Sequence, residues 1–171
     1  MRPNPSIERT SSSVLRTLPA AAHANLRRQG AIVTHHFGRL IDHVHLRVSD
    51  VELSKAFYRA VFTALGLPDV IVEGDGYFHA DELWVDKADG AISRVHLAFQ
   101  ASDQTRVKAF HQAALAAGGR DNGAPGSRAY HPDYFAAFVL DPDGNNIEAV
   151  FHGPIERSAP SVTFTPASTY K

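Results

Sequence analysis

VHLRVSDVELSKAFYRAVFTALG, residues 44–66, decides the fold, because a related stretch, VHLAFQASDQTRVKAFHQAALAAGG, follows at residues 95–119. Val-His-Leu recurs at an offset of 51 residues, whereas Ser-Asp and Lys-Ala-Phe recur at an offset of 53. Each copy reads as an alternating strand, a Ser-Asp pair suited to capping a helix, and an amphipathic helix. A repeat of this length indicates two similar modules in one domain.

Short extended segments are predicted after each helix. In the first copy they are 70–73, 77–80 and 82–86, and in the second they are 134–140 and 147–152, separated by the turn sequence DPDGNN. Residues 120–132 read as a loop with at most one short strand. In the first helix, Leu53, Phe57, Val61 and Leu65 are predicted to face the core. The pattern predicts an α+β fold with two curved sheets forming a barrel-like wall around a cleft.

The composition fits one ordinary globular domain, with 44% hydrophobic residues, 20% charged residues and a formal net charge of −1. We expect no nucleic-acid partner, since no basic cluster is present, and no membrane span. The absence of cysteine fits a reducing, cytoplasmic location. We predict a flexible extension over 1–38, one domain over 39–153 with modules at 39–90 and 91–153, and a tail over 154–171.

Three positions on predicted strands carry side chains suited to a metal ion. His43 or His45 lies on the first strand of module one, His96 on the first strand of module two, and Glu148 on the last strand. A carboxylate within the otherwise apolar NNIEAVF is costly unless it is paired or binds a cation. Two imidazoles and one carboxylate suit a divalent transition metal with open positions for substrate.

The stretches IDHVHLRVSDVELSKAFYRAVFTALGL, RVHLAFQASD and FAAFVLDPDGNNIEAVFH resemble the paired βαβββ modules of the glyoxalase, bleomycin-resistance and extradiol-dioxygenase superfamily, also called vicinal oxygen chelate proteins. The resemblance covers about residues 40–153, and DPDGNNIE is its most specific part. It implies one divalent metal ion (Fe, Mn, Zn, Ni or Co) in a cleft, where neighbouring oxygens of a small substrate are chelated or polarised.

The resemblance also selects between the two histidines of the first strand. The repeat alone equates His45 with His96 through Val-His-Leu, whereas the family's ligand lies seven residues before the helix-opening aspartate, which here gives His43. The implied metal ligands are therefore His43, His96 and Glu148. Metal isomerases of the family use a fourth ligand, for which Glu82 is the nearest candidate.

Further residues are predicted to serve the substrate. His131 and Tyr134 are the candidates for catalytic groups, because the family often places substrate-contacting residues before the penultimate strand. The predicted substrate contacts are His45, Arg47, Trp84 and Tyr130. His152 follows Glu148 by four residues on the same strand face and is a candidate partner for that carboxylate.

Two functions agree with these residues. The first is a metal-dependent enzyme acting on a small oxygenated metabolite or xenobiotic by lyase, isomerase, transferase or ring-cleaving dioxygenase chemistry. The second is a metal-free protein that sequesters a small molecule, as in the bleomycin-resistance branch. The complete ligand set favours the enzyme, and the resemblance implies a homodimer in which modules of different chains share a site.

Overall fold

The computed structural model describes residues 40–155 and 157–158. The predicted N-terminal extension therefore falls outside the described residues, as does most of the predicted C-terminal tail.

Each module follows the order strand, helix and three strands. The first contains β1 Val44–Val48, α1 Val51–Leu65, β2 Ile71–Gly74, β3 Tyr77–Ala80 and β4 Leu83–Lys87. The second contains β5 His96–Gln100, α2 Gln104–Ala116, β6 Arg120–Ser127, β7 Phe135–Leu140 and β8 Asn146–Phe151. Both helices begin as predicted, since Asp50 accepts a hydrogen bond from the Leu53 amide and Asp103 accepts one from the Arg106 amide.

The strands form two open four-stranded sheets, in the orders β1-β4-β3-β2 and β5-β8-β7-β6. The first and last strands of each module pair in parallel, and the remaining pairs are antiparallel. These sheets confirm the predicted α+β fold of two βαβββ modules. None of the helices in the described part of the chain is long and apolar enough to cross a bilayer.

The third strand of the second module is longer than its sequence pattern indicated. Residues 120–127 form the edge strand β6, whereas residues 120–132 were predicted to be a loop with at most one short strand. Its pairing with β7 shifts register between Asp121 and Gly123 and again between Gly123 and Gly126. Because these shifts remove the alternation of apolar and polar residues, no strand period appears in RDNGAPGS.

The helix stripe predicted in α1 is correct at three of its four positions. Phe57, Val61 and Leu65 are buried, but Leu53 is 51% exposed. Successive i+4 positions on a helix drift by about 40° because a turn takes 3.6 residues. This drift moves Leu53 off the buried face of α1. Ser54 and other residues of the helix are buried in its place.

The modules join through their helices and the β7–β8 turn. The Phe62 ring of α1 meets Phe99 of β5 edge to face, with ring centroids 5.1 Å apart. The buried Tyr58 hydroxyl donates to Asp141 Oδ2 at 2.9 Å. Burial raises the pKa of the Tyr58 phenol, and the Asp141 carboxylate raises it further, so the phenol remains a donor. Each helix covers one face of its sheet and leaves the other face open.

Candidate functional site

Glu148 is the centre of a polar cluster on the open face of the second sheet. Its side chain points away from α2, because its neighbours Ile147 and Ala149 belong to the core. Glu148 is only 2% exposed, yet it lies in an apolar strand. Its Oε2 lies 2.9 Å from His96 Nε2, and its Oε1 accepts a hydrogen bond of 2.6 Å from the Tyr134 hydroxyl. The structure thus brings together two predicted metal ligands and one predicted catalytic residue.

The environment of Tyr134 fixes its protonation state. Burial raises the pKa of the phenol far above its ordinary value, and the hydrogen bond to the Glu148 carboxylate raises it further. The phenol therefore stays protonated across the physiological pH range. Tyr134 can hold the carboxylate through its single O–H, and it is not suited to give up or take a proton.

His131 and His152 form a pair next to Tyr134. His131 Nε2 lies 2.9 Å from His152 Nδ1, so one ring donates and the other accepts. Both rings pack edge to face on Tyr134, with centroid distances of 5.1 and 5.0 Å. Tyr130, 74% exposed, also packs edge to face on Tyr134, with a centroid distance of 4.9 Å. The predicted catalytic residues and Tyr130 therefore belong to one cluster with Glu148.

The open face of the first sheet carries a separate charged cluster. His45 Nε2 lies 2.9 Å from Asp86 Oδ2, and Arg47 Nε lies 2.9 Å from Asp86 Oδ1. The Arg47 N–H is not aligned with that oxygen, so the close ion pair leaves both buried atoms without a proper hydrogen bond. Arg47 Nη2 also donates to Asp89 at 2.8 Å. Asp86 was not predicted from the sequence. It lies two residues after Trp84 on one strand, so both side chains are on the same sheet face, and this position could have indicated it.

Aromatic rings lie beside this charged cluster. Trp84 stacks on Tyr77 with ring centroids 4.3 Å apart, and it lies parallel to His79 at 5.7 Å. His45 is directly opposite Trp84 in the β1–β4 pair. The predicted substrate contacts His45, Arg47 and Trp84 therefore share one face of the sheet.

His43 lies just before β1, and its imidazole contacts the carboxylate of the preceding residue, Asp42. Its Nδ1 lies 2.7 Å from Asp42 Oδ1, and its side chain is largely exposed. The Val44 amide donates to the Glu82 carbonyl at 2.7 Å, which aligns the start of β1 with the start of β4. Continuing the β1–β4 register by one residue places His43 opposite Glu82.

The module caps support His43 over His45 as the counterpart of His96. Asp50 and Asp103 both cap their helices. His43 and His96 each lie seven residues before these caps. Counting from the caps thus relates His43 to His96, but the bounds of β1 and β5 differ by 52 residues, so the choice between His43 and His45 stays a prediction.

The predicted ligands are not assembled within one chain. His96 and Glu148 meet on the second sheet, whereas His43 lies at the edge of the first. Over residues 40–155 and 157–158, no three His, Cys, Asp or Glu side chains are arranged to hold a metal ion. Each open sheet face thus presents part of the predicted ligand set.

Comparisons with known proteins agree with the fold. The model of the Glyoxalase/Bleomycin resistance protein/Dioxygenase superfamily matches residues 40–149, and the chain therefore belongs to this superfamily. No curated protein sequence matches the chain significantly.

Solved structures of similar proteins cover most of the described domain. A glyoxalase/bleomycin resistance protein from Albidiferax ferrireducens is 29% identical, with a TM-score of 0.55 over 64% of this chain and 95% of that one. A glyoxalase-related enzyme from Fulvimarina pelagi is 22% identical, with a TM-score of 0.57 over 75% of this chain and 99% of that one. At 22% identity, the similarity to the Fulvimarina pelagi enzyme shows a shared fold alone.

Replacing Tyr134 by phenylalanine should destabilise the protein by about 1–3 kcal/mol, because one oxygen of a buried carboxylate then loses its donor. Urea unfolding at neutral pH measures the change in free energy. Tyr130→Phe is the matched control, since this exposed ring also loses only a hydroxyl; its effect should stay within about 0.5 kcal/mol. Equal effects of the two variants would show that the bond to Glu148 contributes little.

Proposed function

We propose that two copies of this chain form a metal-dependent enzyme that acts on a small oxygenated molecule. His43 of one copy and His96 with Glu148 of the other would hold one divalent ion. The observation that carries the proposal is Glu148, a carboxylate that is almost fully buried in an apolar strand beside an imidazole.

The donor set fits a divalent transition metal. A carboxylate oxygen and an imidazole nitrogen lie 2.9 Å apart on one sheet face, and the His96 side chain is half exposed. Nitrogen and oxygen donors of this kind suit Mn, Fe, Co, Ni and Zn. Tyr134 would orient the ligand carboxylate from its second oxygen, as outer partners of metal ligands commonly do.

A second copy is the natural source of the missing ligand. Counting from the helix caps relates His43 to His96, and His43 lies at the edge of the first sheet whereas His96 lies on the open face of the second. In a twofold dimer, the first sheet of each copy can face the second sheet of the other, which generates two equivalent sites. Such an arrangement would also cover the aromatic rings around Trp84.

Glu82 is the candidate for a fourth ligand from the first sheet. Its backbone register with His43 places the two residues side by side. The isomerase branch of the superfamily uses a carboxylate of this kind, whereas a three-ligand site leaves more positions open to substrate. Metal affinity of Glu82→Gln would separate these two branches.

The residues around the ion have distinct tasks in this proposal. A bound divalent ion supplies Lewis-acid polarisation of substrate oxygens. The protonated Tyr134 fixes Glu148 with its single O–H, and its hydroxyl oxygen can accept a hydrogen bond from substrate. The pair of His131 and His152 can pass a proton between its facing ring nitrogens, while the Pro132 carbonyl holds Nδ1 of His131.

A metal-free binding protein is the second candidate. It is favoured by the fact that both oxygens of Glu148 already have partners, His96 and Tyr134, so the buried carboxylate does not depend on a cation. The open faces would then form a cleft that binds a small molecule without changing it.

Metal titration of the purified wild-type chain, combined with its mass in solution, tests the proposal. We expect a dimer that binds about one divalent ion per chain, since a twofold pair contains two sites. A dimer that binds no divalent ion would support the sequestration protein. A monomer with a full complement of metal would contradict the shared site.

A further inference from the structure

Arg128 follows the irregular strand β6 and lies on the same open face as Glu148. Its guanidinium carbon is 5.2 Å from the centre of the Phe138 ring. Phe138 is directly opposite Glu148 in the β7–β8 pair, and its ring lies 5.9 Å from that of His96. Directly opposed side chains on neighbouring strands have Cβ atoms about 5 Å apart. The cation and the proposed metal ligands therefore share one sheet face, with the Phe138 ring as their common neighbour.

The glycines of β6 make room for this arginine. A Cβ atom at Gly126 would lie 3.1 Å from Arg128 Nη1, and one at Gly123 would lie 2.9 Å from the Phe138 ring. Both glycines flank the register shifts of the strand. The sequence GAPG thus forms a slot in which the guanidinium lies against the aromatic ring.

The position of the guanidinium is fixed, but its charge is not neutralised. Nη2 donates to the Ala124 carbonyl at 2.8 Å, Nη1 donates to the Ser127 carbonyl at 3.3 Å, and the Arg128 amide donates to the Tyr134 carbonyl at 2.9 Å. Two of the five guanidinium N–H groups are used in this way, which leaves three. Among the described residues, no carboxylate lies within 4.0 Å of it.

Arg47 on the other sheet differs in this respect. It was the arginine predicted to contact substrate, but Asp86 and Asp89 both lie within 2.9 Å of its guanidinium. Its charge is already balanced, so an incoming anion would have to compete with two carboxylates. Arg128 is the better placed of the two for binding an anion.

We propose that Arg128 anchors a carboxylate of the substrate, so that the enzyme acts on small molecules bearing a carboxylate next to their metal-binding oxygens. A planar carboxylate can accept two parallel N–H bonds from a guanidinium edge, while Phe138 supports the face of the cation. The assignment rests on the proposed function, because it names the substrate class of that site.

Lactate and its neutral amide, lactamide, are suitable probes because both carry an adjacent hydroxyl and carbonyl oxygen and differ by one charge. Calorimetric titration of the metal-loaded wild type should give at least about tenfold tighter binding of lactate, the range expected for hydrogen bonds to a charged group. Because a bound divalent ion also favours the anion, the change on substitution is the test. Arg128→Gln should reduce the preference by about tenfold and keep the wild-type metal content, and an unchanged preference would overturn the anchor. Arg59→Gln, a change at an arginine of α1 that pairs with Glu73, should retain the preference.

Arg128→Lys covers the case in which the glutamine variant does not fold. It keeps the charge but loses the planar fork, and should therefore lose most of the preference. Equal binding of lactate and lactamide by a metal-loaded wild type would overturn the anchor and leave the metal site intact. A lactate preference that needs Arg128 in a chain that binds no metal would support the anchor and overturn the enzyme.

Discussion

Glu148→Gln should lower metal affinity by at least about 100-fold and leave the fold intact. The amide removes the charged ligand, and even loss of an outer partner of a ligand costs 10–100-fold. The fold should survive because the glutamine oxygen can accept from Tyr134, and its NH₂ can donate to His96 in the tautomer that accepts at Nε2. Elemental analysis after dialysis, together with thermal unfolding, measures both effects.

The control for this experiment is Glu52→Gln. Glu52 is an exposed carboxylate of α1 that pairs with Lys55 at 2.8 Å, so the substitution removes one charge of the same type away from both open faces. It should leave metal content unchanged. If Glu148→Gln bound metal as tightly as the wild type, the buried carboxylate would be a structural residue.

The second large effect is recovery of metal binding in a mixed dimer. Chains with His43→Ala and chains with Glu148→Gln should each bind no metal alone. In a heterodimer, one site contains both substitutions. The other site combines the unsubstituted first module of one chain with the unsubstituted second module of the other chain. Co-expression with two different affinity tags isolates the heterodimer, which should bind about one ion per dimer instead of about two.

A pair of variants with both lesions in the second module is the matched control. In a heterodimer of His96→Ala and Glu148→Gln chains, each site contains one lesion, so no metal should bind. Absence of metal in both heterodimers would mean that one chain supplies all ligands after a rearrangement. Equal recovery in both would mean that the ion binds elsewhere.

The local rules of the sequence explain why most of the fold could be predicted. Asp50 and Asp103 cap helices because their carboxylates satisfy amides that a helix leaves free. Strands with regular alternation were found at nearly their observed positions. β6 was not, because its register shifts and glycines erase the period that marks a strand.

The candidate site was predictable only in part. His96 and Glu148 stand out in the sequence as polar residues within apolar strands, and they meet at 2.9 Å. Asp86 and Arg128 were missed, since a lone aspartate at a strand end or an arginine after a glycine-rich segment is ordinary on a surface. Their importance depends on cross-strand neighbours, Arg47 and Phe138, that are distant in sequence.

The sequence by itself determined the two modules, their helices and the polar positions within their strands, because capping and alternation act between residues close in the chain. Only the tertiary structure decided that the modules join through helices, which leaves His43 at the edge of one sheet and His96 with Glu148 on the open face of the other. The spatial relation between sheets depends on packing between distant residues, which no local period encodes. That separation is why the proposed site needs a second copy of the chain.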